Sequence, residues 1–186
     1  MNFNAHSELV GKHAFLSPSS YHWLNYTDDK LKDRYISVRA AMRGTELHEF
    51  AHRAIALGVR LPEEEKTLSQ YVNDAIGFKM SCEQPLYYSD NCYGHADTIC
   101  FRSDLLRIHD LKTGVTDASH HQLEIYAALF CLEYIISPHE IKVELRIYQN
   151  NEIKVFTPYP ETISMIMEKI ILFDQLIEDI KNGGGS

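Results

Sequence analysis

The spacing of the apolar residues changes twice along this chain, and that change restricts the fold more than any single motif. From QPLYYS (84–89) through CYGHADTICF (92–101) to LLRIHDLK (105–112) the sequence reads as three successive strands, with Ser-Asp-Asn and Arg-Ser-Asp as turn chemistry between them. From Asp117 to Ile136 the pattern is helical, with Leu123, Tyr126, Ala127 and Phe130 on one face, and Ser137-Pro138 ends it. IKVELRIYQ and EIKVFTPY follow as strands separated by the tight-turn pair Asn150-Asn151. ETISMIMEKIILFDQLIEDIK then closes as an amphipathic helix on Ile163, Ile166, Met167, Ile170, Phe173 and Ile177. Helices, three strands, helix, two strands, helix: this order predicts an α/β fold with a central mixed sheet flanked by helices.

Three helical stretches precede the strands. Ser17 and Pro18 suit a helix start before Tyr21, Trp23 and Leu24. A second helix is expected from about Ile36 to Leu57, with Leu47, Phe50, Ala51 and Ala54 as its apolar stripe. Leu61-Pro62 breaks it, and EEEKTLSQYVNDAIGF reads as a third helix with acids in its first turn, where the helix dipole favours them. At 186 residues, with 45% apolar and 24% charged residues, the chain is expected to form one domain over 1–181. Residues 182–186 (NGGGS) read as a flexible Gly/Ser tail outside the fold.

Composition excludes some functions. Asp and Glu outnumber Lys and Arg by 26 to 18, so the net charge of −8 gives no basic footprint for passive coating of nucleic acid. An enzyme with acids gathered at a metal and bases along one groove remains compatible. The cysteines Cys82, Cys92, Cys100 and Cys131 have no CxxC spacing and read as free thiols. MNFNAHSELVGKHAF lacks a basic start followed by an apolar run, and no segment reaches the ~18 apolar residues of a membrane span, so a cytoplasmic protein with no membrane partner is expected.

The strands contain charges where apolar residues belong. Leu106, Ile108, Asp110 and Lys112 fall on one side of the third strand, and Tyr93, His95, Asp97, Ile99 and Phe101 on one side of the second. Pairing of the two strands would bring Asp97 beside Asp110. Like charges this close raise a pKa unless a cation lies between them, and carboxylate oxygens suit Mg²⁺ or Mn²⁺. Lys112 is then placed to orient or deprotonate a water, or to offset charge on a phosphate. A bare D-x-K is also compatible with an ion pair at a strand end.

GHAD, HDLKTG and QLEIY, in this order, resemble the PD-(D/E)XK nuclease superfamily, in particular its RecB-type exonuclease branch and related phage proteins. The match is Asp97 after a small residue, Asp110 with Lys112, and Gln122 with Tyr126 one helical turn later. RGTELHEF adds the branch's G-x-x-x-H pattern with Gly44 and His48, and LSPSSYHWL is similar to its first helix. The resemblance runs from about Leu16 to the second hairpin strand. It implies a restriction-endonuclease-like αβββαββ core after N-terminal helices. It also implies DNA as substrate and a Mg²⁺ or Mn²⁺ site of His48, Asp97, Asp110 and the backbone carbonyl of Leu111.

In that reading Asp97, Asp110 and Lys112 are catalytic, Lys112 helps a water attack the phosphate in line, and Gln122 and Tyr126 support the lysine and the DNA backbone. Histidine among the ligands implies activity with Mn²⁺ equal to or above that with Mg²⁺. Some RecB-type members hold an iron–sulfur cluster through one early and three late cysteines. No cysteine here precedes Cys82 or follows Cys131, so no cluster is expected. A recombination or host protein partner and a homo-oligomer are compatible with the acidic charge.

Residues 48–52, HEFAH, compete for His48. H-E-x-x-H on a helix is the signature of zinc metallopeptidases, with His48 and His52 as ligands and Glu49 as base. The extended H-x-x-G-x-x-H form is missing, and Glu63 to Glu65 or Asp74 would have to supply a third ligand. A nuclease fold that acts only by binding a protein or DNA is the remaining alternative. His120 and His121 read as solvated, with phosphate contact as the other option. Tyr87, Tyr88 and Tyr93 read as packing residues.

Overall fold

The structure, a computed structural model, describes residues 14–63 and 66–183. The chain divides into two compact units, Met1–Arg43 and Gly44–Ser186.

In the first unit a 3-10 helix spans Pro18–Asn25, with Pro18 in its first turn. The Trp23 indole N–H donates to the Ser17 carbonyl at 3.0 Å. Helix α1 (Asp28–Ala56) starts well before the expected Ile36, because Thr27-Asp28-Asp29 is itself a start signal. The Thr27 hydroxyl accepts the Lys30 N–H at 3.3 Å.

The second unit takes up the rest of α1 and continues with α2 (Thr67–Phe78), β1 (Ser81–Ser89), β2 (Cys92–Arg102), β3 (Leu105–Leu111), α3 (His121–Tyr134), β4 (Lys142–Gln149), β5 (Glu152–Phe156) and α4 (Pro160–Lys181). The fold is therefore α/β, as the order of periods predicts. The sheet runs β1-β2-β3-β4-β5. β3 and β4 are parallel and the other pairs antiparallel, so α3 is the crossover that a parallel pair requires. Ser103-Asp104 and Asn150-Asn151 have φ of 49°, 59°, 53° and 61°, the left-handed pair that a two-residue hairpin turn needs.

Both faces of the sheet are covered. On one, Leu106, Ile108, Val143, Leu145 and Ile147 pack with Leu123, Ala127 and Phe130 of α3 and Ile163 of α4. On the other, Leu111 and Tyr148 pack with Ala51, Ala54 and Ile55 of α1 and Tyr71, Val72 and Ala75 of α2.

Several expectations need correction. Phe50 of the expected α1 stripe is exposed, and Ile55 takes a buried place instead. Helix α2 begins at Thr67 with no acid in its first turn; Glu63 precedes it and Glu64 and Glu65 lie outside the described residues. The stripe of α4 is covered only at its start, since Phe173 and Ile177 are exposed. Asn182 and Gly183 follow α4 as its cap, while the remainder of the NGGGS tail lies outside the described residues.

Strand β2 does not keep one alternation. Gly94 and Ala96 face α3, where an added Cβ at Gly94 would lie 2.9 Å from Tyr126 Cε1. Beyond Asp97 the other set takes over, with Ile99 in the same core and Phe101 against Phe130. Tyr93 and His95 therefore point away from α3 while Ile99 and Phe101 point toward it, and the expected single side for all of them is wrong. The change falls at Asp97. Between the pairs Cys82↔Thr98 and Gln84↔Ala96 the residues Glu83 and Asp97 are left out of the pairing while the register is kept, and Glu83 has a left-handed φ of 47°. Among the described residues no helix is long and apolar enough to cross a membrane.

Candidate active site

Asp110 is the last inward-facing residue of β3 on the α3 side, below Leu106 and Ile108, and is 2% exposed. One step beyond the pair Thr98↔His109 the register sets Asp97 opposite Asp110. Asp97 sits where β2 changes its inward set, and its carboxylate meets groups from α1 and from the end of β3. Its Oδ2 lies 3.5 Å from His48 Nδ1 and accepts the Leu111 N–H at 3.3 Å. Burial, then the Asp110 carboxylate, push the Asp97 pKa up; His48, the Leu111 N–H and Lys112 pull it back.

A second set of contacts runs outward from Asp110. Its Oδ1 is 3.0 Å from Lys112 Nζ, Lys112 donates to Gln122 Oε1 at 3.0 Å, and Gln122 Nε2 donates to the Tyr126 hydroxyl at 3.2 Å. Gln122 is exposed and Lys112 half-buried, so the ammonium lies between a buried carboxylate and solvent. The Asp110 Oδ2 is buried with no hydrogen-bond partner. A buried carboxylate oxygen left unpaired costs on the order of 1–3 kcal/mol or more, a cost that a bound cation would remove.

Two glycines shape the surroundings. A Cβ at Gly44 would come 2.7 Å from the Thr113 hydroxyl, and one at Gly94 would press on the Tyr126 ring. Gly44 thus lets α1, with His48 one turn on, approach the Lys112-Thr113 segment, and Gly94 leaves room for the ring that holds Gln122.

The residue set fits a hard divalent cation in kind: two acids, one with an orphaned oxygen, and an imidazole beside them. It is not closed into a cage. Among the described residues, the group of three metal-ligating side chains with donor atoms all within 4.8 Å of one another is His120, His121 and Glu124. The contact that Leu111 makes with Asp97 is through its N–H.

The HEFAH pair diverges. His48 goes to Asp97, whereas His52 Nδ1 is 3.2 Å from Glu83 Oε1, and the two rings meet edge-on at 6.2 Å. Glu49 is exposed. Asp74 is already engaged, accepting from the Tyr148 hydroxyl at 2.6 Å and from Arg146 at 3.0 Å. His121 is exposed, as the solvated reading expects, and His120 is half-buried, and both approach buried Glu124. Tyr88 packs on the core, but Tyr87 and Tyr93 stack on each other at 6.4 Å and stand exposed, so these two are not packing residues. The cysteines are free, and burial pushes the Cys82 and Cys131 thiols up to about 11.

Gln149 is a structural residue of the site that no motif marks. It is buried at the end of β4; its amide donates to the Gly114 and Thr116 carbonyls at 2.6 and 2.8 Å and accepts the Ala118 N–H at 3.0 Å. These bonds pin the segment between Lys112 and Gln122. A glutamine before a turn pair carries no signal of this role, because its partners lie some thirty residues earlier.

His109, next to Asp110 but on the opposite face, is also buried. It meets Tyr148 and Phe78, and burial followed by Arg146 and Arg107 lowers its pKa to about 3. Compared with protein-family models, with curated proteins and with solved structures, the chain matches none.

Proposed function

We propose that this chain is a metal-dependent DNA nuclease of the PD-(D/E)XK kind, hydrolysing phosphodiester bonds, with exonuclease action as the first expectation. The observation that carries the reading is the unpaired, buried Oδ2 of Asp110 opposite Asp97 and in line with Lys112. Asp97 already accepts the Leu111 N–H and Asp110 the Lys112 ammonium; a cation would add a partner for the unpaired Oδ2 and relieve the repulsion of the acid pair.

His48, Asp97, Asp110 and the Leu111 carbonyl would hold Mg²⁺ or Mn²⁺, with the exposed-side approach left to DNA. When bound, such an ion neutralises the acid pair and polarises the phosphate. Lys112 supplies a proton-rich ammonium, steadied by Asp110 and Gln122, that can orient a water and donate to a phosphate oxygen. Tyr126 fixes Gln122 and so the reach of the lysine. Asp97 is held in place through the Leu111 N–H. The four free cysteines suit a reducing compartment, and the cytoplasm belongs to the same proposal.

The test is incubation with linear, nicked, circular and single-stranded DNA in Mg²⁺ or Mn²⁺, beside a casein control. The expected result is cleavage of linear DNA that needs metal and is abolished by Asp110→Ala and by Lys112→Ala in folded protein. Full activity in either variant would sink the mechanism. Casein hydrolysis lost in Glu49→Ala would establish the zinc peptidase instead, and DNA or protein binding without cleavage the binding reading.

A further inference from the structure

The first turn of α3 carries a second group of donor atoms on its other side. Glu124 is 5% exposed, on the helix whose Leu123, Ala127 and Ala128 belong to the core. A carboxylate removed from water needs strong partners, and this one has two imidazoles. His121 Nδ1 is 2.8 Å from Glu124 Oε2, and His120 Nε2 is 3.6 Å from Oε1. One donor atom from each of the three falls within 4.8 Å of the others.

The arrangement is also held. The His120 ring stacks on Phe156 of β5 at 4.5 Å and meets the His121 ring at 4.8 Å, and the backbone N–H of His121 donates to the Ser119 hydroxyl at 3.2 Å. Metal–ligand distances of ~2.0–2.1 Å in a tetrahedral site put donor atoms roughly 3.3 Å apart. The separations of 2.8 and 3.6 Å are to the two different Glu124 oxygens and bracket that spacing; with the donor set spread within 4.8 Å, the imidazoles would have to draw in to close the site.

We infer that His120, His121 and Glu124 form a transition-metal site of the Zn²⁺ class, separate from the Asp97–Asp110 pair. Two imidazoles and one carboxylate favour Zn²⁺ over Mg²⁺, which prefers an all-oxygen shell. Three protein ligands leave one coordination position for water or an exogenous donor. His121 and Glu124 also line a cavity of about 470 Å³ whose other walls include Ile125, Ile166, Ile170 and Phe173. An exchangeable fourth ligand would reach the ion from there. Because Gln122 lies between two of the ligands in sequence, an occupied site also clamps the turn that presents Gln122 to Lys112. The inference does not rest on the nuclease reading.

The experiment uses full-length metal-free protein carrying Asp110→Asn, so that the acid pair is disabled, and titrates it with Zn²⁺ by calorimetry and with Co²⁺ by visible absorption. The expected result is saturable binding of one ion in the micromolar range or tighter, a tetrahedral Co²⁺ spectrum, and a thermal midpoint raised by Zn²⁺. His121→Asn and Glu124→Gln, added singly, should each weaken binding by about tenfold or more. His121 is exposed, so its variant keeps the fold even if Glu124→Gln does not. Absence of saturable binding, an octahedral Co²⁺ spectrum, or an affinity changed less than tenfold in folded His121→Asn would overturn the assignment.

Discussion

Replacing Asp110 by Asn should make the metal-free protein more stable and the metal-loaded protein less so. The side chain keeps its shape and loses its charge. Three effects then compete. The unpaired Oδ2 no longer carries charge in a buried place, which relieves on the order of 1–3 kcal/mol. Repulsion with Asp97, one of the two causes that push the Asp97 pKa up, disappears as well. Against these stands the lost ion pair with Lys112, whose side chain is 32% exposed and still bonds Gln122, so this loss is limited to about 1 kcal/mol. The balance is a gain of about 1 kcal/mol, read as a rise of roughly 2–4 °C in melting temperature for a chain of this size.

Divalent metal should reverse the order. At a hundredfold excess over its dissociation constant an ion stabilises the wild type by about 2.7 kcal/mol, and the Asn variant by much less. Thermal unfolding followed by circular dichroism, in chelator and in Mn²⁺ or Mg²⁺ at neutral pH, would show the two proteins exchanging rank. If Asp110→Asn melts below the wild type in chelator, the carboxylate is a net structural asset and the strain argument fails. Equal stabilisation of both proteins by Mn²⁺ would fail it from the other side.

Three further outcomes are expected. His109 has a folded pKa of about 3 against an ordinary 6.5, so the unfolded chain takes up its proton first as pH falls. Stability from this residue is intact above about 6.5 and is lost progressively down to about 3, by about 5 kcal/mol in total; urea titrations across that window should show a weaker acid dependence in His109→Gln. Gly94→Ala drives a methyl into the Tyr126 ring, costing about 1–3 kcal/mol by overpacking and lowering cleavage through Gln122, measurable by melting and by rate. Gln149→Ala removes three partly buried hydrogen bonds at about 1 kcal/mol each. Rapid amide exchange over residues 114–118 in that variant is the expected readout, and unchanged protection would contradict the pinning role.

The element order was legible because each buried face imposes its own period, and the strand ends fall within a few residues of the turn chemistry at 103–104 and 150–151. The proximity of Asp97, Asp110 and Lys112 was legible because charges sit where apolar residues should, whereas Gln122 and Tyr126 entered only through the resemblance. What stayed hidden depends on conformation or distance. Glu83 gives no sign of a left-handed φ, since glutamate is not a turn residue, yet it stands opposite the point where β2 changes its inward set. Nothing in the sequence singles out Glu124 as buried, because its burial depends on packing of α3 against the rest of the fold. The missing coverage of Phe173 and Ile177 is likewise a matter of length: α4 carries its apolar stripe beyond the stretch packed on the sheet.

The bonds from Gln149 to Gly114, Thr116 and Ala118 also set an order of events during synthesis. By the time the ribosome has made His48, Asp97, Asp110 and Lys112, every acid and base of the candidate centre exists, but the segment leading to Gln122 has nothing to hold it. That support arrives only with the last residue of β4, and with the parallel pairing to β3 that cannot form until α3 has crossed over. A growing chain would therefore carry the chemistry without the alignment. For a protein proposed to cut DNA, this delays alignment of the candidate centre until the sheet is nearly whole.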